Sequence, residues 1–168
     1  MSYAAPLNTV AIKAALTANL ISEMLSGRLQ GVAAVGDTWL NELGPVDSFP
    51  YVYVDIGSES ESLVAIQRKE NTLNFNIGLA YKSLISLGDA KANLLTLLDD
   101  GAGNGLKAIL RDPIFYTLNG LATQTQIRMT TQYYDNLGEN PKSSLNQFVS
   151  YAIIRYDVTQ QFVWQGAK

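Results

Sequence analysis

Two groups of carboxylates have a spacing that suits acid–base chemistry. Asp55 precedes Glu59 and Glu61 near the predicted end of a strand, and Asp99 is followed directly by Asp100. Two carboxylates that converge in a cleft can act as general acid and general base. The sequence around these residues predicts no cleft, and acidic side chains are usually solvated. We therefore favour solvated loop charges over a catalytic pair at both places.

The glycine-rich run Gly101–Gly105 is the segment that most resembles a ligand-binding loop. A calcium loop that began at Asp100 would have Ala102 and Arg111 where carboxylates are needed. The run also departs from the dinucleotide-binding pattern G-x-G-x-x-G, because Leu106 stands at the sixth position. We interpret the run as a break between two helices, and we expect no cofactor and no metal.

The chain has no histidine and no cysteine. Ser-His-Asp and Cys-His arrangements, histidine-ligated metal sites and disulfides are therefore excluded. These are the residue types that most often carry catalysis. We predict no catalytic residues, and a structural or assembly protein is favoured over a small carboxylate-dependent enzyme.

The composition indicates a globular chain with few charges. Its 168 residues predict a single domain over 1–168, with 47% hydrophobic residues, 16% charged residues and a net charge of −3. The charged share lies below the roughly 25% typical of soluble domains. Partners that cover part of the surface would explain this, and so would a neutral surface rich in Ser, Thr, Asn and Gln. The basic residues are scattered, which argues against nucleic-acid binding and against a membrane-surface role. No basic segment precedes an apolar stretch near the N-terminus, so we expect no signal peptide. Lys13, Asn19 and Glu23 interrupt the apolar stretch Val10–Leu25, which is unlike a membrane span, so we expect a soluble protein.

Hydrophobic spacing in the first part of the chain predicts one helix followed by strands. Apolar residues recur at helical spacing over Asn8–Leu25, with Asn8 as the N-cap. The connection Ser26–Ser48 is irregular and contains scattered glycines. Strands are then predicted over Phe49–Ile56 and Leu63–Lys69, separated by a small polar loop at Ser58–Ser62.

The middle of the chain predicts a further strand and a second helix. After a turn at Glu70–Thr72, apolar and other residues alternate strictly over Leu73–Tyr81, which is typical of a strand. The second helix is predicted to begin with Asp89 as its N-cap. A further helical fragment should end at Asp112-Pro113, because the residue before a proline avoids helical geometry.

The last part of the chain predicts two long strands, over Thr123–Tyr134 and Gln147–Val163. The second strand has apolar residues on both faces, which is typical of a strand covered on both sides. The order of elements predicts an α+β fold, a mostly antiparallel sheet with two helices packed on one face. A neighbouring subunit is then a candidate cover for the other face.

Aromatic residues are the candidates for contacts between subunits. Aromatic side chains bury large areas and are enriched in interface cores. A stacking platform for single-stranded nucleic acid would need interleaved basic residues, which are sparse here. A ligand-binding module built on the last strands is a further alternative. The candidate interface residues are Trp39, Tyr51, Tyr53, Tyr133, Tyr151, Tyr156 and Trp164.

This order of patterns resembles the tail terminator, or tail completion, proteins of long-tailed bacteriophages. The resemblance covers most of the chain and is carried by the helix Asn8–Leu25, the strand entry Phe49–Val54, the strand Leu73–Leu79, the leucine-rich helix Asp89–Leu98 and the strand segment Tyr151–Tyr156.

The resemblance implies a homohexameric ring in the neck of the virion tail, assembled from subunits that are soluble in the host cytoplasm. Such a ring caps the head-proximal end of the tail tube, ends tube growth and offers a surface to the head–tail connector protein. DNA passes through its lumen without specific binding, and an acidic lumen would repel it. Glu59, Glu61, Asp99 and Asp100 are the candidates for an acidic loop or lumen surface. Another head–tail joining protein, or a baseplate component of a phage or contractile injection system, is the main alternative.

Overall fold

The computed structural model describes residues 9–37, 49–65, 68–118, 120–121, 128–135 and 148–163. Asn8, the predicted N-cap of the first helix, lies outside these residues, as do residues 123–127 of a predicted strand. The elements, in chain order, are α1 (Thr9–Ser26), β1 (Ala34–Gly36), β2 (Tyr51–Ala65), β3 (Arg68–Ser83), α2 (Leu87–Leu98), α3 (Leu106–Leu110), α4 (Pro113–Thr117), β4 (Met129–Asp135) and β5 (Phe148–Val163).

The strands form one five-stranded sheet in the order β1-β2-β3-β5-β4. The short strand β1 lies within the irregular connection Ser26–Ser48 and runs parallel to β2. The other described pairings, β2 with β3, β3 with β5 and β4 with β5, are all antiparallel. This confirms the predicted α+β fold with a mostly antiparallel sheet.

The hairpin of β2 and β3 is longer than the sequence predicted. The expected loop Ser58–Ser62 and the expected turn Glu70–Thr72 are both wrong, because these residues pair with each other across the ladder. Glutamate and asparagine are depleted in strands on average, but cross-strand backbone bonds and side-chain pairs can override that preference. One such pair joins Lys69 to Glu61. The two strands therefore continue past the bulge as a paired extension, in which residues 58–65 of β2 lie opposite residues 68–74 of β3. We call this extension the polar arm.

One face of the sheet is packed under the helices. Alternate side chains of β2, β3 and β5 point to this face because successive residues of a strand point to opposite sides. Residues of α1, α2, α3 and α4 belong to the same buried cluster, so the two long helices cover the same face. The fully buried strand residues include Val52, Val54, Phe75, Ile77, Leu79, Ala152, Ile154 and Tyr156.

The opposite face of the sheet, called here the helix-free face, has a different character at its two ends. At one end it carries Tyr51, Tyr53, Tyr151 and Ile153, and this confirms that β5 has apolar residues on both faces. Tyr51 and Tyr53 are buried, whereas Tyr151 and Ile153 are half-buried. The other end is polar and is described below.

The second helix begins earlier than the sequence predicted, and the chain forms a further short helix, α4. Ser86, not Asp89, is the N-cap of α2, and its hydroxyl accepts from the backbone N–H of Asp89 at 3.0 Å. Asp89 lies in the first turn, where a carboxylate is favoured by the helix dipole. Asp112-Pro113 ends α3 as predicted and also begins α4, with Asp112 as its N-cap. Proline fits the first helical position because it has no N–H to leave unpaired.

An ionic cluster ties α1 to α4. The Arg28 guanidinium lies 3.1 Å from Glu23 Oε1 and 3.0 Å from Asp112 Oδ2. The hydrogen bond from Arg28 lowers the pKa of Glu23, against the opposing effect of partial burial. These three side chains therefore hold the C-terminal end of α1 against the start of α4.

Replacing Tyr156 with phenylalanine tests the core. The Tyr156 hydroxyl donates to the carbonyl oxygen of Phe115 at 2.8 Å in a buried position. Tyr156→Phe leaves that carbonyl without this donor, so we expect the free energy of unfolding to fall by about 1–2 kcal/mol. Tyr133→Phe removes an exposed hydroxyl and should change it by less than about 0.5 kcal/mol. Urea unfolding measures the free energy of unfolding of both variants. Equal losses in the two variants would contradict a stabilising role for the bond from Tyr156 to Phe115.

The Glu23–Arg28 pair predicts a pH dependence of stability. Because the folded-state pKa of Glu23 is lowered, its contribution is complete above the ordinary glutamate pKa of 4.5. That contribution is lost as the pH falls through the lower folded-state value. Glu23→Gln should cost about 1 kcal/mol at neutral pH and should show a shallower loss of stability on acidification. Urea unfolding at several pH values between neutral and acid measures this, and parallel pH profiles for the two proteins would contradict it.

Candidate functional site

The structure separates the carboxylates Asp55, Glu59 and Glu61. The ladder between β2 and β3 contains a bulge at Gly57. A bulge inserts one extra residue in one strand, so it changes the face to which the following side chains point. Asp55 lies on the helix-free face, whereas Glu59 and Glu61 follow the face of the buried Leu73. The three acids are therefore not brought together as a general acid–base pair.

Asp55 belongs instead to a small ionic cluster at the β1 side of the sheet. The hydroxyl of Tyr53 donates to Asp55 Oδ2 at 2.9 Å. Lys13 Nζ from α1 lies 3.5 Å from Asp37 and 3.9 Å from Asp55. Burial of Tyr53, together with its bond to Asp55, raises the pKa of the Tyr53 phenol. This cluster links α1 to the sheet.

The acids of the glycine-rich loop are occupied by the loop itself. Asp100 Oδ1 accepts from the backbone N–H groups of Ala102 and Asn104, and Asp100 Oδ2 accepts from the Asn104 side chain. The Asn104 side-chain bond and these backbone bonds lower the pKa of Asp100. Asp99 accepts from a backbone N–H of the same loop. The predicted helix break at Gly101–Gly105 is confirmed, and three of its glycines have positive φ angles.

The predicted interface aromatics are spread over different environments. Trp39 and Trp164 lie outside the described residues. Tyr156 belongs to the core beneath the helices, so it is not available to a partner in this fold. Tyr133 on β4 is exposed, and Lys107 Nζ lies 3.0 Å from its hydroxyl oxygen.

The remaining three aromatics, Tyr51, Tyr53 and Tyr151, share the helix-free face. Tyr151 stacks on Tyr134 of the neighbouring strand with ring centroids 4.8 Å apart and an interplanar angle of 11°. Tyr53 packs against Gly78 of the neighbouring strand β3. Tyr51 and Tyr53 are buried, so only the stacked, half-buried pair Tyr134 and Tyr151, called here the aromatic surface, is partly exposed at this end of the face.

A polar concavity of about 470 Å³ occupies the other end of the helix-free face. We call it the arginine concavity. All of its lining residues except one glycine are polar or charged. They are Gly57, Ser58, Ser60, Thr72, Asn74, Asn76, Arg128, Thr130, Arg155 and Asp157.

Cross-strand pairing sets the position of each charge in the arginine concavity. Arg155 on β5 lies opposite Asn76 on β3. Asp157 lies opposite Asn74, whose Nδ2 donates to Asp157 Oδ1 at 2.7 Å. The backbone N–H of Asp157 donates to the carbonyl oxygen of Arg128 at 3.3 Å, which places Arg128 beside it. Two cations therefore flank one carboxylate that an amide already binds.

Gly57 leaves space for the two asparagine side chains. A Cβ at this position would lie 2.8 Å from Asn74 Oδ1 and 2.9 Å from Asn76 Nδ2. These distances are shorter than normal contacts, so a side chain at position 57 would require both amide groups to move. The bulge residue therefore shapes the wall of the arginine concavity as well as the strand register.

The chemistry that the arginine concavity offers is anion binding. Arg128 and Arg155 present two guanidinium groups, which donate hydrogen bonds and accept none. They donate several hydrogen bonds in a planar fork that matches a carboxylate or phosphate. The surrounding hydroxyl and amide groups can add further hydrogen bonds to the same anion.

Sequence reasoning missed this site because its two cations are far apart in the chain. Arg128 and Arg155 were only part of a scattered set of basic residues. Knowledge that β4 pairs with β5 in register, with Met129 opposite Tyr156, would have placed both arginines on the face opposite these apolar residues. The usable signal was the shared alternation of polar and apolar residues in the two strands.

Within the described ranges, no group of three or more His, Cys, Asp or Glu side chains is arranged to hold a metal ion. No described helix has the length and apolar character needed to cross a membrane. No protein-family model matches the sequence, and a search of curated proteins finds no match.

Gly57→Ala tests the shape of the arginine concavity. The added methyl group must displace Asn74 and Asn76, so we expect the bond from Asn74 to Asp157 to break and stability to fall by about 1 kcal/mol. The side-chain amide resonances of both asparagines should shift in NMR spectra. Gly88→Ala in α2 is the matched control, because its added methyl would meet only Ser86 Oγ at 3.7 Å. Unshifted asparagine resonances in Gly57→Ala would contradict this description.

Proposed function

We propose that this protein is a structural component of a phage virion that forms a ring at the head-proximal end of the tail tube. In this role it ends tube growth and gives the head connector its joining surface. The particular family is suggested by the resemblance in the order of elements, and six copies are implied by that resemblance. The fold and the exposed surfaces support an assembly role, as follows.

The observation that carries the proposal is the exposure of apolar side chains at both ends of the β2–β3 hairpin. Leu63 is 67% exposed near the hairpin turn, and Leu84 and Ile85 are 70% and 78% exposed just after β3. A 16-residue strand separates these ends by roughly 50 Å. Burying each side chain against a partner would contribute about 2 kcal/mol. Apolar side chains at two distant ends suit a protein that binds a different partner at each end, such as the tail tube at one and the head connector at the other.

The one-sided cover of the sheet supports contacts between copies. The helices occupy one face, while the helix-free face carries half-buried Tyr151 and Ile153 beside the stacked Tyr134. A closed ring requires one patch of each subunit to meet a different patch of the next. An aromatic surface on one face of a sheet is suited to that kind of contact, because aromatic side chains dominate interface cores.

The charge of the chain also suits a conduit for DNA. The net charge is −3, with 12 basic and 15 acidic residues. Acidic walls repel a polyanion and keep it from binding as it passes. Glu61 on the polar arm and Asp100 in the glycine-rich loop are exposed and would contribute to such a wall.

The proposal predicts the length of tails assembled without this protein. Electron microscopy of lysates from a phage that lacks it should show over-long tail tubes without heads. Supplying the wild-type chain in trans should restore tails of normal length. Tails of normal length that fail to join heads would indicate a joining protein instead, and normal infectious particles would contradict a role in the virion.

Point variants connect this test to the exposed apolar ends. Leu63→Ser and the double change Leu84→Ser/Ile85→Ser should each fail to restore normal tails, with little loss of stability because these side chains are exposed. Val10→Ser on α1 is the matched control, since Val10 is 78% exposed and lies on another surface. Full restoration by both hairpin variants would contradict the role assigned to these ends.

A further inference from the structure

We propose that the arginine concavity of one copy binds the carboxylate of Glu59 from the arm of a second copy. This inference rests on the proposed ring and names one of its contacts. The partner is therefore another molecule of the same chain, and the recognised group is a carboxylate held by Arg155 and Arg128.

The two arginines stand out among the cations of the described residues. Most other described lysines and arginines have an ion-pair, hydrogen-bond or ring partner, and Lys91 also has an interaction. Within the described residues, the guanidinium groups of Arg128, directly before β4, and Arg155, on β5, have no such partner, although both line the same concavity. Asp157 between them is engaged by Asn74. Adjacent like charges repel, so a bound anion would stabilise this arrangement.

Glu59 has the complementary properties. Its side chain is exposed on the polar arm, and within the described ranges no cation lies at ion-pair distance from it. The neighbouring acid Glu61 is bound by Lys69, and Glu70 on the other strand of the arm also has an interaction. Glu59 is therefore the acid of the arm that remains available to a partner.

The bulge at Gly57 places these opposite charges on opposite faces of the same sheet. The side chain of Glu59 follows the helix side, whereas Arg155 points to the helix-free face. The two groups cannot meet within one copy. They can meet when the arm of one copy lies over the helix-free face of the next, which is the head-to-tail contact that a ring repeats.

A carboxylate is favoured over a DNA phosphate as the bound group. The arginine concavity contains a carboxylate of its own, Asp157, and two cations, whereas DNA-binding surfaces use many basic residues. The chain has more acids than bases, so acidic side chains are plentiful on neighbouring copies. Bidentate binding of a carboxylate by arginine also fixes orientation, which a repeated subunit contact needs.

Charge reversal at the two positions tests the contact. Arg155→Glu and Glu59→Arg should each raise the dissociation constant of self-association by about tenfold or more at low salt. The double variant Arg155→Glu/Glu59→Arg reverses the pair and keeps the net charge, so it should return to within about threefold of the wild type. Sedimentation velocity over a range of protein concentrations measures all three. Lys91→Glu, with the same charge change on the exposed face of α2, is the control and should change the constant by less than about threefold.

The outcomes separate this contact from the proposed ring. If the wild type associates and Arg155→Glu behaves like Lys91→Glu, or if the double variant is not restored, the contact is overturned while the ring stands. If the wild type stays monomeric both alone and with tube protein, the proposed ring and the proposed contact are both contradicted. If Arg155→Glu weakens binding of double-stranded DNA but leaves self-association unchanged, the arginine concavity binds phosphate and the proposal is overturned.

Discussion

The pairing of β2 with β3 and of β3 with β5 is the constraint on which the rest of this structure depends. Once the register is set, every side chain of these strands has a fixed face. One set builds the core with the helices, and the other set builds the aromatic surface and the arginine concavity. The bulge at Gly57 changes this assignment for β2 between Ser58 and Leu63, and it separates Asp55 from Glu59 as a result.

The sheet is covered by helices on one side only, and this asymmetry connects the fold to assembly. A central strand such as β5 gains most when both of its faces are buried. Its helix side is complete within the chain, since Ile154 and Tyr156 are fully buried. Its other side carries half-buried Tyr151 and Ile153 at one end and the cationic Arg155 at the other. A neighbouring subunit that placed apolar side chains against the first end and a carboxylate against the second would complement both ends of this face.

The sequence predicted the elements in which one hydrophobic periodicity dominates. It did not predict the elements whose structure depends on pairing between strands. Strict alternation over Leu73–Tyr81 identified β3, because a half-buried strand leaves a clear period of two. The polar arm was missed, since its serines and glutamates are held by cross-strand bonds that no local pattern reveals. The cap of α2 was placed at Asp89 instead of Ser86 because both residue types are good caps. The arginine concavity was missed because it depends on the β4–β5 register.

Native mass spectrometry of the purified wild-type chain, alone and mixed with tail tube protein, decides whether the sheet completes its cover by docking onto copies of itself. One subunit has a mass of 18.3 kDa. We expect a closed assembly whose mass is a whole multiple of this value, with six copies as the resemblance implies. A particle of 18.3 kDa under both conditions would contradict it.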